Sequence, residues 1–143
     1  MCENASETTL GQLNTRATAR LKTKTMGMNH EKFQSCIEAC QECAAACYHC
    51  AASCLQEEDV KMLARCIRLD QDCAAICQMA VRMMAGGSEF AGQICQLCAT
   101  ICDACADECD KHSNMEHCRR CAETCRRCAE ECREMSHQEM GAY

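Results

Sequence analysis

Along most of this chain, apolar and polar positions alternate with the period of an α-helix. Four segments carry an apolar side chain at steps of three, four or seven residues, and Glu, Gln, Lys and Arg fill many positions between them. Steps of three and four average about 3.5 residues, so each segment presents one apolar stripe along one side of a helix. Such helices bury their stripes against one another. The pattern predicts an all-α protein, an antiparallel up-down four-helix bundle.

Residues that start or stop a helix separate the four segments. Asp59 and Ser88 are good N-caps, because their side-chain oxygens can accept a hydrogen bond from a backbone N–H of the first turn. The pair Gly86-Gly87 is a natural stop, and Ser113 and Glu116 have the spacing of a capping box. Connections this short force neighbouring helices to run antiparallel. The predicted bounds are Asn29 to Glu57, Asp59 to Gly86-Gly87, Ser88 to Lys111, and Ser113 to a point between Met135 and His137.

A chain of 143 residues is long enough for one domain with a buried core. Residues 28–137 are expected to form that bundle. Residues 1–27 are polar and rich in Thr, and they are expected to be a short extra helix or disordered. Residues 138–143 are expected to be a C-terminal tail.

The apolar residue on the stripes is cysteine. Leu or Ile normally occupies such positions, but 19 of the 20 cysteines lie on the four stripes. A bundle folded on these stripes encloses a column of sulfur atoms. The first stripe holds Cys36, Cys40, Cys43, Cys47, Cys50 and Cys54; the second Cys66, Cys73 and Cys77; the third Cys95, Cys98, Cys102, Cys105 and Cys109; the fourth Cys118, Cys121, Cys125, Cys128 and Cys132.

Two explanations without a metal account poorly for this arrangement. Side chains three or four residues apart on a helix have Cβ atoms about 5–6 Å apart, whereas a disulfide needs roughly 3.5–4.5 Å, which disfavours a disulfide scaffold. Cysteine also packs well as a small hydrophobic residue. That explains how the metal-free protein can fold, but Leu or Val would fill a bundle better and would not oxidise.

Metal binding by thiolates is the remaining explanation. Soft thiolates suit Cu(I), Zn(II) and iron–sulfur clusters. Each binding thiol loses its proton, and buried charge must be compensated. One Cu(I) ion per thiolate cancels the charge, whereas Zn(II) with four thiolates leaves a net −2 at every site. The sequence therefore predicts multiple Cu(I) ions, about one per stripe cysteine, held along eight C-x-x-x-C and six C-x-x-C pairs. A zinc or general soft-metal thiol buffer and an iron–sulfur electron carrier are the alternatives, the latter without a ferredoxin motif.

The two ends of the predicted bundle differ. Asp70 takes a stripe position of the second helix, and a buried carboxylate is costly unless it is paired or bound to a metal. His112 extends the third stripe and His117 precedes Cys118, so both lie at the same end; either could instead be an exposed residue at a helix end. We predict that Asp70 is a metal ligand, whereas the residues alone leave both roles open for His112 and His117. The opposite end is predicted to be plugged by Phe33, Met84 and Met135.

These residues resemble the bacterial copper storage proteins, specifically the cytosolic members. The resemblance covers about residues 30–135 and depends on the stripe cysteines, the segment from Cys66 to Cys77 and the turn from His112 to Cys118. It implies a bundle that fills with Cu(I) and assembles as a homotetramer. It also implies that Asp70, His112 and His117 bind the outermost ions. The long N-terminal extension and Cys2 depart from the family pattern, and Cys2 is not assigned to the site.

The expected function is storage or detoxification of copper in the cytoplasm, without enzymatic activity. A net charge of −6 argues against nucleic acid, and no apolar run approaches the length of a membrane span. Met1–Thr25 lacks the apolar run of a secretory signal. The arginines of residues 119–133 are expected to pair with glutamates of the same helix. The expected partners are copper ions, with copper chaperones or cuproenzymes as donors or recipients.

Overall fold

The structure is a computed structural model that describes residues 28–140, with side chains from residue 31 onward. The predicted N-terminal extension, Cys2 and residues 141–143 lie outside the described residues. Four α-helices account for most of the described chain, and a short 3₁₀-helix, Val60–Leu63, leads into the second. The helices are α1 (Met28–Cys54), α2 (Ala64–Ala85), α3 (Ala91–Asp110) and α4 (Glu116–Met140).

The helices form a closed ring in which α1 packs on α2 and α4, and α3 packs on the same two helices. Contacts between sulfur atoms show in which direction neighbouring helices run. Cys36, near the start of α1, lies 3.6 Å from Cys132 near the end of α4. At the other end of α1, the Sγ atoms of Cys54 and Cys118 are 3.9 Å apart. The predicted all-α antiparallel bundle is confirmed.

The connection between α2 and α3 contains the predicted glycine stop. The N–H of Ser88 donates to the carbonyl of Met83 at 2.9 Å, and the N–H of Gly87 donates to the carbonyl of Met84 at 3.1 Å. This pair of bonds is the Schellman motif, which needs a left-handed residue after the helix. Gly87 supplies it with a φ of 66°.

Two predicted helix boundaries between α1 and α2 are wrong by a few residues. The first helix ends at Cys54 rather than Glu57, and the N–H of Glu57 donates to the carbonyl of Cys54 at 3.2 Å in a turn. Asp59 does act as an N-cap, because its Oδ1 accepts from the N–H of Met62 at 3.3 Å. The element that it caps is the 3₁₀-helix, however, so α2 begins only at Ala64.

The starts of α3 and α4 also differ from the prediction. The hydroxyl of Ser88 accepts from the N–H of Phe90 at 3.1 Å in a local turn, and α3 begins after it, at Ala91. Glu116 is the first residue of α4, but its carboxylate pairs with Arg120 at 3.0 Å instead of closing a capping box with Ser113. The last helix continues through Met140, beyond its predicted end.

The arginines of α4 mostly pair with other helices. Arg126 contacts Asp107 and Asp110 of α3, and Arg133 contacts Asp103 of the same helix. Arg127 lies 2.9 Å from Glu42 of α1. The prediction of pairs within the helix was therefore wrong for these three residues, because acidic residues of α1 and α3 lie within reach across the bundle surface.

The core of the bundle is narrow because small residues flank the stripes. Ala74, Ala99, Ala106, Ala122 and Ala129 each follow a stripe cysteine directly and are 0–2% exposed. Alanines at these contacts allow the helix axes to approach closely, which brings the stripes of all four helices together.

Phe33, Met84 and Met135 are buried at one end of the bundle, which we call the apolar end. The other end, with His112 and His117, is the His-bearing end. Within residues 28–140, no helix combines the length and apolar character needed to cross a lipid bilayer.

Candidate metal centre

The nineteen stripe cysteines are all buried, and all are free thiols. Most of their Sγ atoms contact another sulfur atom at 3.5 to 4.0 Å, as between Cys73 and Cys102 at 3.5 Å and between Cys43 and Cys102 at 4.0 Å. A disulfide bond would require about 2.05 Å. A disulfide scaffold is therefore wrong for the cysteines that the structure describes.

The thiols form overlapping groups of four. In each group the ligand atoms all lie within 4.8 Å of one another, and neighbouring groups share members such as Cys43, Cys47 and Cys125. Sharing means that an ion in one group has a sulfur atom in common with the next. Four of these groups are Cys40, Cys98, Cys128 and Cys132; Cys43, Cys73, Cys77 and Cys102; Cys43, Cys47, Cys73 and Cys125; and Cys47, Cys105, Cys121 and Cys125.

The predicted ligand Asp70 lies inside the column of thiols and has no exposed surface. Its Oδ1 accepts from the thiols of Cys105 at 3.1 Å, Cys121 at 3.4 Å and Cys109 at 3.7 Å, and its Oδ2 accepts from Cys66 at 3.9 Å. Burial, together with the charges that neighbouring thiolates would carry, raises the pKa of Asp70 to about 11. The carboxyl group is thus neutral at pH 7 until a cation compensates its charge.

The predicted ligand His117 closes the column at the His-bearing end. Its Nδ1 lies 3.5 Å from the sulfur of Cys118, 3.7 Å from that of Cys50 and 3.8 Å from that of Cys54. These four residues form a further group whose ligand atoms lie within 4.8 Å of one another. On the other side of the ring, Nε2 lies 3.1 Å from Oε1 of Glu57.

The predicted ligand His112 has a different environment. It is buried, and its Nε2 lies 3.5 Å from Oε1 of Glu108 without forming a hydrogen bond to any residue that the structure describes. Glu108 is itself buried and accepts hydrogen bonds from Arg65 at 3.2 Å and Lys111 at 3.1 Å. Burial alone would raise the pKa of Glu108, but the hydrogen bonds and charges of its basic neighbours outweigh burial and lower it. His112 therefore faces a carboxylate that other residues already hold.

Two thiols of the group around His117, those of Cys54 and Cys118, hold their protons in the metal-free protein. Burial and the charge of the neighbouring Cys66 raise the pKa of Cys118 to about 12, and burial likewise raises the pKa of Cys54. A metal ion that binds here must displace the thiol protons. Protonated thiols are small and nearly apolar, so the core is well packed before any metal enters.

The donor set fits a soft, singly charged ion. The groups inside the column consist of sulfur atoms, which soft cations prefer. No lysine or arginine is among the buried residues of the described chain, so the charge of the thiolates has to be cancelled by the ions themselves. Cu(I) achieves this with one ion per thiolate, whereas Zn(II) in a group of four leaves two negative charges.

Two acidic residues at the His-bearing end escaped the sequence prediction. Glu57 lies three residues after Cys54, so one more step of three along the first stripe would have reached it. Glu108 lies four residues before His112 on the same helix face, a spacing at which side chains commonly interact. Both spacings can be found in the sequence. A glutamate, however, is neither a thiol nor an imidazole, which are the side chains that a soft metal ion prefers.

Residues 29–137 match the sequence model of the copper storage proteins, abbreviated Csp. The chain belongs to this family. Among solved structures, Cu(I)-bound copper storage protein BsCsp3 is 50% identical, covers 73% of this chain and 98% of its own, and superposes with a TM-score of 0.71.

A second solved relative is Ccsp from Streptomyces lividans, loaded with 10 copper equivalents. It is 42% identical, with coverage of 78% of this chain and 88% of Ccsp and a TM-score of 0.71. A structure of a cytosolic copper storage protein from the same organism, with five coppers, gives a TM-score of 0.70 at 42% identity, with coverage of 76% and 95%.

One curated relative is the uncharacterized cysteine-rich protein YhjQ of Bacillus subtilis strain 168. It is 50% identical over 66 residues, which are 46% of this chain and 61% of YhjQ. The chain thus spans less than two thirds of the length of that relative.

Proposed function

We propose that this chain stores Cu(I) ions inside the bundle, for later use or for detoxification, and that it is not an enzyme. The observation that carries the proposal is the set of overlapping four-thiol groups, which share sulfur atoms along the column. A catalytic thiol would be exposed and placed near basic groups, whereas these thiols are buried and repeated. Repetition with shared ligands suits the accumulation of many ions.

Copper enters at the His-bearing end in this proposal. An incoming ion binds among His117, Cys50, Cys54 and Cys118, and the thiols that bind it release their protons. Because neighbouring sulfur atoms are only 3.5 to 4.0 Å apart, an ion can form a bond to the next sulfur before it leaves the previous one. Asp70 and His112 would bind ions near the same end.

The capacity follows from charge balance in a buried interior. Nineteen thiolates would be neutralised by about nineteen Cu(I) ions, because each carries one positive charge. The copper-loaded relatives BsCsp3 and Ccsp support the choice of metal. The ligands in this proposal are the nineteen stripe cysteines with Asp70, His112 and His117.

The cellular setting and the assembly belong to the same proposal. A cytoplasmic location is supported by the relative from Streptomyces lividans that is described as cytosolic. Assembly as a homotetramer follows from the resemblance to the family, and light scattering on a size-exclusion column tests it. Copper chaperones or cuproenzymes would be the donors and recipients.

Anaerobic titration of the reduced protein with Cu(I), in competition with a chromophoric chelator, tests the storage function. We expect the chelator to remain copper-free until about nineteen equivalents have been added, with the bound copper verified by native mass spectrometry. Saturation at a handful of ions would contradict the proposal.

Zinc is the competing cargo, because groups of four thiols are also tetrahedral zinc ligand sets. Equilibration with both metals, followed by elemental analysis, distinguishes the two. We expect copper to displace zinc from the column. Retention of zinc in the presence of excess Cu(I) would instead identify a zinc buffer. An iron–sulfur protein would be recognised by its visible absorption.

A further inference from the structure

We infer that Glu57 is a positioning residue that fixes the ring of His117, so that Nδ1 faces the thiols as a ready copper ligand. The inference rests on the proposed function, because it assigns a role to Glu57 in the capture of Cu(I). Glu57 itself contacts none of the ions in this scheme. Its effect is exerted through the imidazole.

The geometry places the two ring nitrogens of His117 in different surroundings. Nε2 lies 3.1 Å from the Glu57 carboxylate, and Nδ1 lies 3.5 to 3.8 Å from three sulfur atoms. The side chain of His117 is 13% exposed, whereas that of Glu57 is 40% exposed. The carboxylate therefore covers the outer edge of the ring, and the inner edge faces the column.

This arrangement selects one tautomer of the neutral ring. A carboxylate only accepts hydrogen bonds, so the nitrogen beside Glu57 carries the proton. The other nitrogen, Nδ1, then has a free lone pair directed at the thiols, and metals bind that form of imidazole. A half-turn of the ring would exchange Nδ1 for a carbon atom and would break the bond to Glu57.

The chain connects Glu57 directly to one of the thiol ligands. Its backbone N–H donates to the carbonyl of Cys54 at 3.2 Å in the turn that ends α1. The carboxylate and the Cys54 thiol are therefore held on the same turn. Glu57, which orients the imidazole, and Cys54, whose sulfur binds the same ion as the imidazole, are thus joined by one backbone hydrogen bond.

The other histidine at this end lacks such a fixed partner. The carboxylate beside His112 is already held by Arg65 and Lys111, and Nε2 of His112 has no hydrogen bond within residues 31–140. In the described part of the chain, His117 is thus the histidine that combines three sulfur neighbours with a carboxylate on its second nitrogen.

The test compares Glu57→Ala and Glu57→Gln with Glu58→Ala and Glu58→Gln. Glu58 is the exposed next residue, so its variants remove the same charge without touching His117. The first readout uses the metal-free protein, in which long-range ¹H–¹⁵N spectra report the tautomer of His117. We expect one tautomer, protonated at Nε2, in the wild type and in both Glu58 variants. Glu57→Ala should give a mixture, and Glu57→Gln should retain most of the wild-type form, because the Gln oxygen can still accept.

The second readout is the copper affinity of the group around His117. We expect Glu57→Ala to weaken the binding of one ion by about tenfold or more, as for other partners of metal-bound histidines, and to leave the total capacity unchanged. Circular dichroism checks that the helices are intact. Wild-type spectra for His117 in Glu57→Ala would overturn the inference, as would a changed tautomer without a loss of affinity. A low copper capacity in the wild type would instead overturn the storage function, and the tautomer result would be unaffected.

Discussion

Asp70 is a carboxyl group without exposed surface among four thiols, and burial raises its pKa from an ordinary value of 3.8 to about 11. Between these two pH values the folded protein binds one more proton at this group than the unfolded chain does. The stabilising effect of that proton is complete below pH 3.8 and is lost as the pH rises toward 11. Asp70 thus makes the metal-free bundle less stable at neutral than at acidic pH.

Replacement of this carboxyl group by an amide should remove that pH dependence. We expect the free energy of unfolding of Asp70→Asn to exceed that of the wild type by an amount that grows by about 1.4 kcal/mol per pH unit between pH 5 and 8. Urea denaturation of the reduced, metal-free proteins measures the difference. Asp72→Asn, an exposed change on the same helix, is the control and should follow the wild type. A constant difference across this range would mean that Asp70 is ionised in the folded state.

Replacement of Cys105 measures how much a single thiol contributes to the copper capacity and the stability of the bundle. Its thiol donates to Asp70 at 3.1 Å, and a serine hydroxyl of similar size can do the same. We expect Cys105→Ser to bind about one Cu(I) ion fewer, with little change in stability, because neighbouring groups keep their own thiols. Native mass spectrometry of the loaded protein counts the ions.

Thr100→Ser, on the exposed side of the same helix, should keep the full copper capacity. Loss of most of the copper from Cys105→Ser would show that the ions bind cooperatively rather than one by one.

At the scale of single residues, the helical period was sufficient to predict which side chains point inward. It placed the nineteen cysteines and Asp70 in the core, because residues within a helix have a fixed direction. It could not predict the contact between Glu57 and His117, which are 60 residues apart and meet only through the shape of a turn. The register of a stripe carries no information about where the chain goes after the helix ends.

Among the elements, the turn between α2 and α3 depends on one left-handed residue. Gly87 has a φ of 66°, which costs other L-residues roughly 1–2 kcal/mol. We expect Gly87→Ala to lower the free energy of unfolding by about 1 kcal/mol, as measured by urea denaturation of the metal-free protein. Gly87→Asn should lose less, because Asn tolerates this conformation better. Equal losses in the two variants would mean that the φ angle is not the cause.

The existence of the four helices was predictable, and their ends were less so. Periodicity over five or more turns is a strong signal, whereas a capping residue can serve several local structures. Asp59 caps a 3₁₀-helix, and Ser88 closes a turn with Phe90 before α3 begins. Glu116 pairs with Arg120 although its spacing from Ser113 suits a capping box. Asp59 and Ser88 do accept a hydrogen bond from a nearby backbone N–H, as an N-cap does, but the α-helix begins only a few residues later.

For the whole molecule, charge is separated between surface and interior. Arginines of α4 pair with acidic residues of α1 and α3 on the outside, where water screens them and each pair adds little stability. Inside, nineteen buried thiols and one buried carboxyl group have no buried lysine or arginine of the described chain beside them, and an acidic group that lacks a counter-charge in such a site keeps its proton. Loading must therefore exchange each proton for a positive charge on an ion.

This exchange predicts the number of protons released. Because buried thiolates need full compensation, filling the column with Cu(I) at pH 7 should release about one proton per ion, measured with a pH indicator in weakly buffered solution. Zinc bound by four thiols would release about four protons per ion and leave a net charge of −2 at each site. A ratio near two for Cu(I) would mean that each ion binds two thiolates of its own. The column would then fill at about half the number of thiols, and the interior would carry a negative charge that no buried lysine or arginine of the described chain could balance.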